Sequence, residues 1–334
     1  MPVHLEGVGL TSFIPVSIRI GLINNMPDRA LKRTERQFRN LLESAADGLA
    51  HVQLSMFALP EIQRSEPASA HIGRFYSPVQ KLWDSQLDAL IVTGTEPHAS
   101  DLTHEHYWET LTKIVDWANH NTCSTIWSCL AAHAAVLYKD GIERRRLTEK
   151  RFGVFECRRG SDHSLTAGLP TNIHVPHSRW NDLPCGELTG RGYDLLTCAA
   201  DGSADAFAKQ FESLFIFFQG HPEYDPDTLL LEYRRDVGRY LKGERDAHPP
   251  LPRGYFDSFT EVALTRLHDQ AQSDPRPELL KEFPLIGVEK RTSEKCSSAA
   301  YRIYRNWLTH LCAEKHRKGR RNQPAVFAIA KQAG

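Results

Sequence analysis

The chain has 334 residues, with 41 Lys plus Arg against 41 Asp plus Glu, so no net field marks it as a partner for nucleic acid or another polyanion. Its 41% hydrophobic and 25% charged residues are the balance of a soluble globular protein, and no run approaches the roughly 18 apolar residues of a membrane span. The seven cysteines are scattered and odd in number, which is not a disulfide framework. The first twenty residues lack the basic-then-apolar order of a secretory leader, so a cytoplasmic protein with reduced thiols is expected.

In chain order, SIRIGLI (17–23) reads as a buried strand ending at Asn24-Asn25-Met26-Pro27, and residues 34–42 as a helix whose apolar face carries Phe38, Leu41 and Leu42. Residues 51–58 form a second strand. LDALIVT (87–93) is a third, cut off by Gly94. Residues 107–118 have helical spacing, with Trp108, Leu111, Ile114, Val115 and Ala118 on one face. A strand at 124–128 leads into Cys129 and a helix from Leu130 to about Tyr138. Residues 214–218 are a late strand, and Asp225-Pro226 opens a helix running to Leu241. Strands alternating with helices predict an α/β, three-layer architecture: a mostly parallel sheet with helices on both faces.

Residues 1–311 are read as one catalytic domain. Its segment 242–298, with HPPLPRG, a helix at 260–271 and SDPRPE, reads as a peripheral insertion; helical spacing returns at 301–311. Residues 312–334, beginning with KHRKGRRN after Glu314, are a basic, polar tail. One short basic run makes a solvated terminus rather than a nucleic-acid site.

Chemistry gathers at the carboxyl ends of strands in parallel α/β sheets. Cys129, at a strand-to-helix junction, faces the positive end of the following helix, and the Leu130 amide is placed to donate to a developing oxyanion. A Gly-x-Cys-x-Gly elbow is absent, the flanks being Trp127-Ser128-Cys129-Leu130-Ala131. Ninety residues on, SLFIFFQGHPEYD delivers His221 and Glu223, which project to one side of an extended segment. Glu223 can then hold one imidazole nitrogen while the other addresses a thiol. A buried structural cysteine and a helix-entry loop are the plainer readings of each half alone; together the halves predict a Cys–His–Glu enzyme.

Gly94-Thr95 reads either as a turn or as a second oxyanion donor. Pro176-His177-Ser178-Arg179-Trp180 reads either as a substrate contact or as a turn held by its own hydrogen bonds. His98, His104, His106 and Glu105 fall on a wet helix face, so no metal centre is expected there. Neither GxxxxGK nor GxGxxG occurs, and no bound cofactor is expected.

IGLINNMP, LDALIVTGTEP, the Cys129 junction, TEKRFGVFE, VPHSRW, GHPEYDPDTLLLEYRRDV and, more loosely, YRIYRNWL resemble the homoserine O-acyltransferase family of methionine biosynthesis. They occur in family order over residues 18–241 and 300–311. The resemblance implies a class I glutamine-amidotransferase-like (flavodoxin-like) fold, a homodimer, and transfer of an acyl group from acyl-CoA to the hydroxyl of L-homoserine. It places the nucleophile on Cys129, the general base on His221, the triad carboxylate on Glu223 and a substrate-binding arginine on Arg235. That chemistry fits oxyanion donors at Leu130 and Thr95 and substrate contacts at Ser178 and Arg179 as read from the residues; the family's active-site lysine has no direct equivalent, Lys32 being a shifted candidate.

The chain departs from the family at Cys129-Leu130-Ala131-Ala132-His133-Ala134, where Cys-Trp-Gly/Ala-x-Gln-Ala is common. At the family's donor-selecting position, glycine in succinyl-CoA users and glutamate in acetyl-CoA users, stands His98. Histidine does not repel the free carboxylate of succinate, so succinyl transfer is expected over acetyl. The alternatives are the same chemistry on serine or another hydroxy amino acid, or a glutamine-amidotransferase activity.

Overall fold

The structure, a computed structural model, describes residues 16–160, 162–284 and 290–321. Strands β1 (Val16–Ile23), β2 (Ala50–Phe57), β3 (Ala89–Val92), β4 (Ser124–Ser128) and β9 (Leu214–Phe218) are parallel neighbours, in the order β2-β1-β3-β4-β9. β3, β4 and β9 are buried at every position, and β3 and β9 are apolar end to end, as suits strands covered on both faces. The sheet then continues in antiparallel sense through β8 (Ala204–Gln210), β7 (Asp194–Ala199), β5 (Arg145–Arg159) and β6 (Asn172–Asp182). The helix-covered parallel sheet expected from sequence is therefore present, carrying a four-stranded antiparallel extension.

One face of the sheet is covered by α1 (Asp28–Ala46) and α8 (Lys290–Arg321), whose Phe38, Leu42, Trp307 and Leu308 pack on Ile18, Ile20, Ile126 and Ile216. Buried Trp307 also donates to Ser124 Oγ at 2.9 Å, which ties α8 to β4. The other face takes α3 (Trp108–Asn121) and α4 (Leu130–Asp140), with Leu111, Ile114, Ala131 and Ala135 against Leu90, Trp127 and Phe217. The run of alanines in α4 lets its axis come close to the sheet.

A shorter helix, α2 (Glu66–Phe75), lies between β2 and β3, and α5 (Cys185–Gly190) lies between β6 and β7. Beyond β9, α6 (Thr228–Leu241) and α7 (Ser258–Ser273) enclose a third apolar cluster of Tyr233, Val237, Leu264 and Leu267 with Phe152 of β5. Segment 242–284 thus packs mainly on α6 and meets the sheet at β5, where Arg253 exchanges backbone hydrogen bonds with Phe152 and Val154. Helix α8 is longer than expected and runs through the start of the basic tail, KHRKGRR. Among the described residues no helix is long and apolar enough to cross a membrane.

Candidate active site

Four parallel strands end at one cleft of about 540 Å³. Met26 follows β1, Gly94 and Thr95 follow β3, Cys129 follows β4, and His221 and Glu223 follow β9. Because β4 and β9 are hydrogen-bonded neighbours, Cys129 and His221, 92 residues apart in sequence, emerge side by side. The Cys129 amide donates to Phe218 O at 2.7 Å, locking the two strand ends together.

Cys129 has φ 53° and ψ −114° and is the one non-glycine residue with positive φ among those described. Such a conformation costs about 1–3 kcal/mol and persists only where the surroundings hold it. It turns the chain from β4 into α4 in a single residue and leaves the thiol partly exposed to the cleft. The Leu130 amide opens α4 and has no carbonyl partner within the helix. It lies against the end of β3: a Cβ on Gly94 would come 2.8 Å from the Leu130 nitrogen. Glycine is needed there because the nucleophile turn and the β3 loop touch through their backbones.

His221 is buried and aligned from both ends. Its Nδ1 lies 2.8 Å from Glu223 Oε1, its amide donates to Pro176 O at 2.8 Å, and its ring stacks on Tyr224 with centroids 4.2 Å apart. Burial works against the charged imidazole. The Glu223 carboxylate and the hydrogen bond with Cys129 outweigh it and hold His221 well above its ordinary range. The arrangement favours an imidazolium beside the thiol.

Helix α6 supplies the opposite wall, with Glu232 and Arg235 three residues apart on its cleft face. Glu232 accepts from Ser178 Oγ and from Tyr224 Oη, each at 2.6 Å. Arg235 pairs with Asp236 at 2.7 Å, and that neighbour with Glu232 keeps the half-buried guanidinium charged against the cost of burial. Lys150 of β5 reaches the same acids, 3.6 Å from Asp236 Oδ2 and 4.0 Å from Glu232 Oε2. Burial pulls its ammonium below the ordinary value despite both carboxylates.

Four residues expected at the site are not part of the cleft lining: Leu130, expected to act through its backbone amide alone, and Lys32, Arg179 and His98. Lys32 is exposed, because the helical period of α1 turns Arg29, Ala30, Arg33, Thr34 and Gln37 toward the cleft instead. Arg179 is buried and points away from it: strand alternation sends Ser178 to the cleft and Arg179 to Asp182, at 2.8 Å. His98 is exposed, and its amide donates to Glu105 Oε1 at 2.7 Å; from that loop it is Glu96, paired with Arg29 at 2.8 Å, that faces the cleft. Thr95 does line it.

Lys150, Glu232, Arg29 and Arg33 were not singled out in the sequence. Of these, Glu232 had a signal in its three-residue offset from Arg235, and Lys150 in its place within the quoted stretch TEKRFGVFE. Cys157, His177 and Asp205 bring ligand-type atoms within 4.8 Å of one another, but the protein itself occupies the imidazole: Arg179 Nε donates to His177 Nδ1 at 3.4 Å, and Nε2 faces Asp205 at 3.3 Å.

The sequence model of the homoserine O-succinyltransferase family matches residues 15–317. The chain belongs to that family. Among similar members, a homoserine O-succinyltransferase of Rhodopseudomonas palustris is 48% identical over 297 residues, covering 89% of each chain. One of Bradyrhizobium japonicum is 46% identical over 297 residues, covering 89% of this chain and 91% of its own. Among solved structures, a glutamine amidotransferase from Methylobacillus flagellatus is similar with TM-score 0.49 and 13% identity, over 88% of this chain and 94% of that chain.

Proposed function

We propose that the protein transfers a succinyl group from succinyl-CoA to the hydroxyl of L-homoserine through an acyl-cysteine on Cys129. The convergence of Cys129, His221 and Glu223 in a cleft walled by α6, in a chain of this family, carries the reading. The Cys129 thiolate attacks the thioester carbonyl, and amides of Leu130 and the Gly94–Thr95 turn receive the oxyanion. The tetrahedral adduct collapses, and CoA leaves with the proton held by His221. His221, now neutral, takes the proton of the homoserine hydroxyl as its oxygen attacks the acyl-cysteine, and the Cys129 thiolate is released. Glu223 keeps the ring in one orientation and stabilises the imidazolium in both halves.

An amino-acid acceptor is a zwitterion and needs a reader for each charge. Arg235 suits its carboxylate through a two-point fork, and Glu232 suits its ammonium. Six Lys and Arg side chains line the cleft against four Asp and Glu, and this excess of positive charge favours a donor with a free carboxylate over a neutral acetyl group.

The test is intact-protein mass spectrometry after mixing with succinyl-CoA, without acceptor. A single succinyl adduct, mapped to Cys129, absent from Cys129→Ala and discharged by L-homoserine, is the expected result. Turnover without any adduct overturns the acyl-cysteine, discharge by serine but not homoserine overturns the acceptor, and ammonia release from glutamine in place of acyl transfer replaces the reading.

A further inference from the structure

His133 stands one helical turn after Cys129, in the first turn and a half of α4. It is 3% exposed, and its Nε2 lies 2.8 Å from Oε1 of Gln219, the second residue before His221. Gln219 is fully buried, and each end of its amide is committed. Its Nε2 donates to Asp182 Oδ1 at 2.9 Å and to Ala204 O at 2.8 Å, while its Oε1 also accepts from the Leu183 amide at 3.1 Å. An amide held this way cannot flip, so its oxygen has one direction to offer and His133 must present an N–H to it.

We propose that His133 and Gln219 are positioning residues: their buried hydrogen bond fixes the turn carrying His221 against the helix carrying Cys129. The inference rests on the acyl-cysteine reading of those two residues. Two further features support it. Burial holds the His133 imidazole down at about 3, opposed only by the Gln219 bond, so it remains neutral and adds no second cation beside His221. The space behind the His221 turn is also full, because a Cβ on Gly220 would come 2.4 Å from Asp205 Oδ1 and 3.0 Å from His177 Cε1. The turn is therefore backed by Asp205, Val175 and His177, and tied sideways to α4 by His133. Neither residue lines the cleft, so any effect on rate passes through His221 and Cys129.

The experiment measures acyl-enzyme formation from succinyl-CoA by rapid quench, together with the pH profile of Cys129 alkylation by iodoacetamide, in wild type, His133→Leu, His133→Asn and His133→Gln. A misplacement near 1 Å costs on the order of 10²-fold. His133→Leu should slow acylation by about 10- to 100-fold, with KM for succinyl-CoA nearly unchanged and the alkylation limb displaced. His133→Asn, polar but too short to reach Gln219, should behave the same and serves if the leucine variant does not fold. His133→Gln, whose amide N–H can reach Gln219, should recover most of the rate. Wild-type acylation in His133→Leu or His133→Asn overturns the proposal, as does a His133→Gln variant as slow as either. If wild type itself forms no adduct on Cys129, the acyl-cysteine reading falls and takes this inference with it; an adduct in wild type with unchanged variant rates sinks this inference alone.

Discussion

Replacing Glu223 by Gln removes the one carboxylate that holds His221 Nδ1, at 2.8 Å in a buried setting. A hydrogen bond to a charged group contributes about 1.5–3 kcal/mol net, and about 1.36 kcal/mol corresponds to one pKa unit. The imidazolium should therefore lose much of its elevation. A glutamine can also turn its NH₂ toward Nδ1 and impose the wrong tautomer, so kcat should fall by about 10²-fold, the lower end for a lost general base. The assay follows iodoacetamide labelling of the Cys129 peptide against pH, with Cys129→Ala to subtract the other cysteines. In wild type the limb belongs to the coupled Cys129–His221 pair. In Glu223→Gln the ion-paired form is less favoured, so the limb should move to higher pH. An unmoved limb with kcat within about threefold of wild type would refute the role given to Glu223.

Arg235→Gln should raise KM for L-homoserine by about 10- to 100-fold, with acyl-enzyme formation unaffected, because a two-point carboxylate contact is lost from the second half-reaction only; unchanged KM would exclude the pairing. Gly94→Ala places a methyl 2.8 Å from the Leu130 nitrogen, and such overpacking costs about 1–3 kcal/mol; acylation should slow more than the thermal midpoint falls, and a wild-type rate would mean that the turn is not an oxyanion wall. His133 and His177, which burial holds at about 3 and about 4, are neutral when folded, whereas an unfolded histidine titrates near 6.5. Their folded values are depressed, so their contribution is complete above about pH 6.5 and is lost as pH falls toward 4, at about 1.4 kcal/mol per pH unit for each. Urea unfolding at pH 7 and 5.5 should show this slope, and His133→Leu should remove roughly half of the part due to the two histidines; an equal slope in the variant would contradict it.

The parallel half of the fold was legible because its central strands β3 and β9 are buried on both faces and read as unbroken apolar runs: LIV and LFIFF cannot be surface ribbons. Strand β5 was not, since RRLTEKRFGVFECRR alternates between solvent and a shallow core, and its buried residues, chiefly Phe152 and Cys157, are outnumbered by cations. Helix α8 was seen only where Ile303, Tyr304, Trp307 and Leu308 concentrate its stripe; its charged continuation carries no local signal of helix. At the site, Cys129, His221 and Glu223 were visible because strand ends bring them there whatever the loops do. Lys150 sits in a cation-rich stretch where nothing distinguishes it from Arg151. What sets it apart is that α6, nearly ninety residues later, lays Glu232 and Asp236 over it. Arg179 and His98 were misplaced for local reasons, a strand's alternation and a loop's turn, that motif alignment does not encode.

Strands β4 and β9 are neighbours in the sheet, yet everything from Gly141 to Ser213 lies between them in the chain. That excursion builds the antiparallel strands and brings Lys150 and Ser178 to the cleft, while Cys129, His221 and Glu223 stay with the parallel strands. The proposed chemistry and part of the proposed selectivity thus occupy separable lengths of polypeptide. Exchanging residues 141–213 between relatives, with Pro176, His177, Asp182 and Asp205 kept to hold the His221 turn, would leave the nucleophile and its base on the same two strands, so a chimera of that kind should keep acyl transfer and alter donor and acceptor preference.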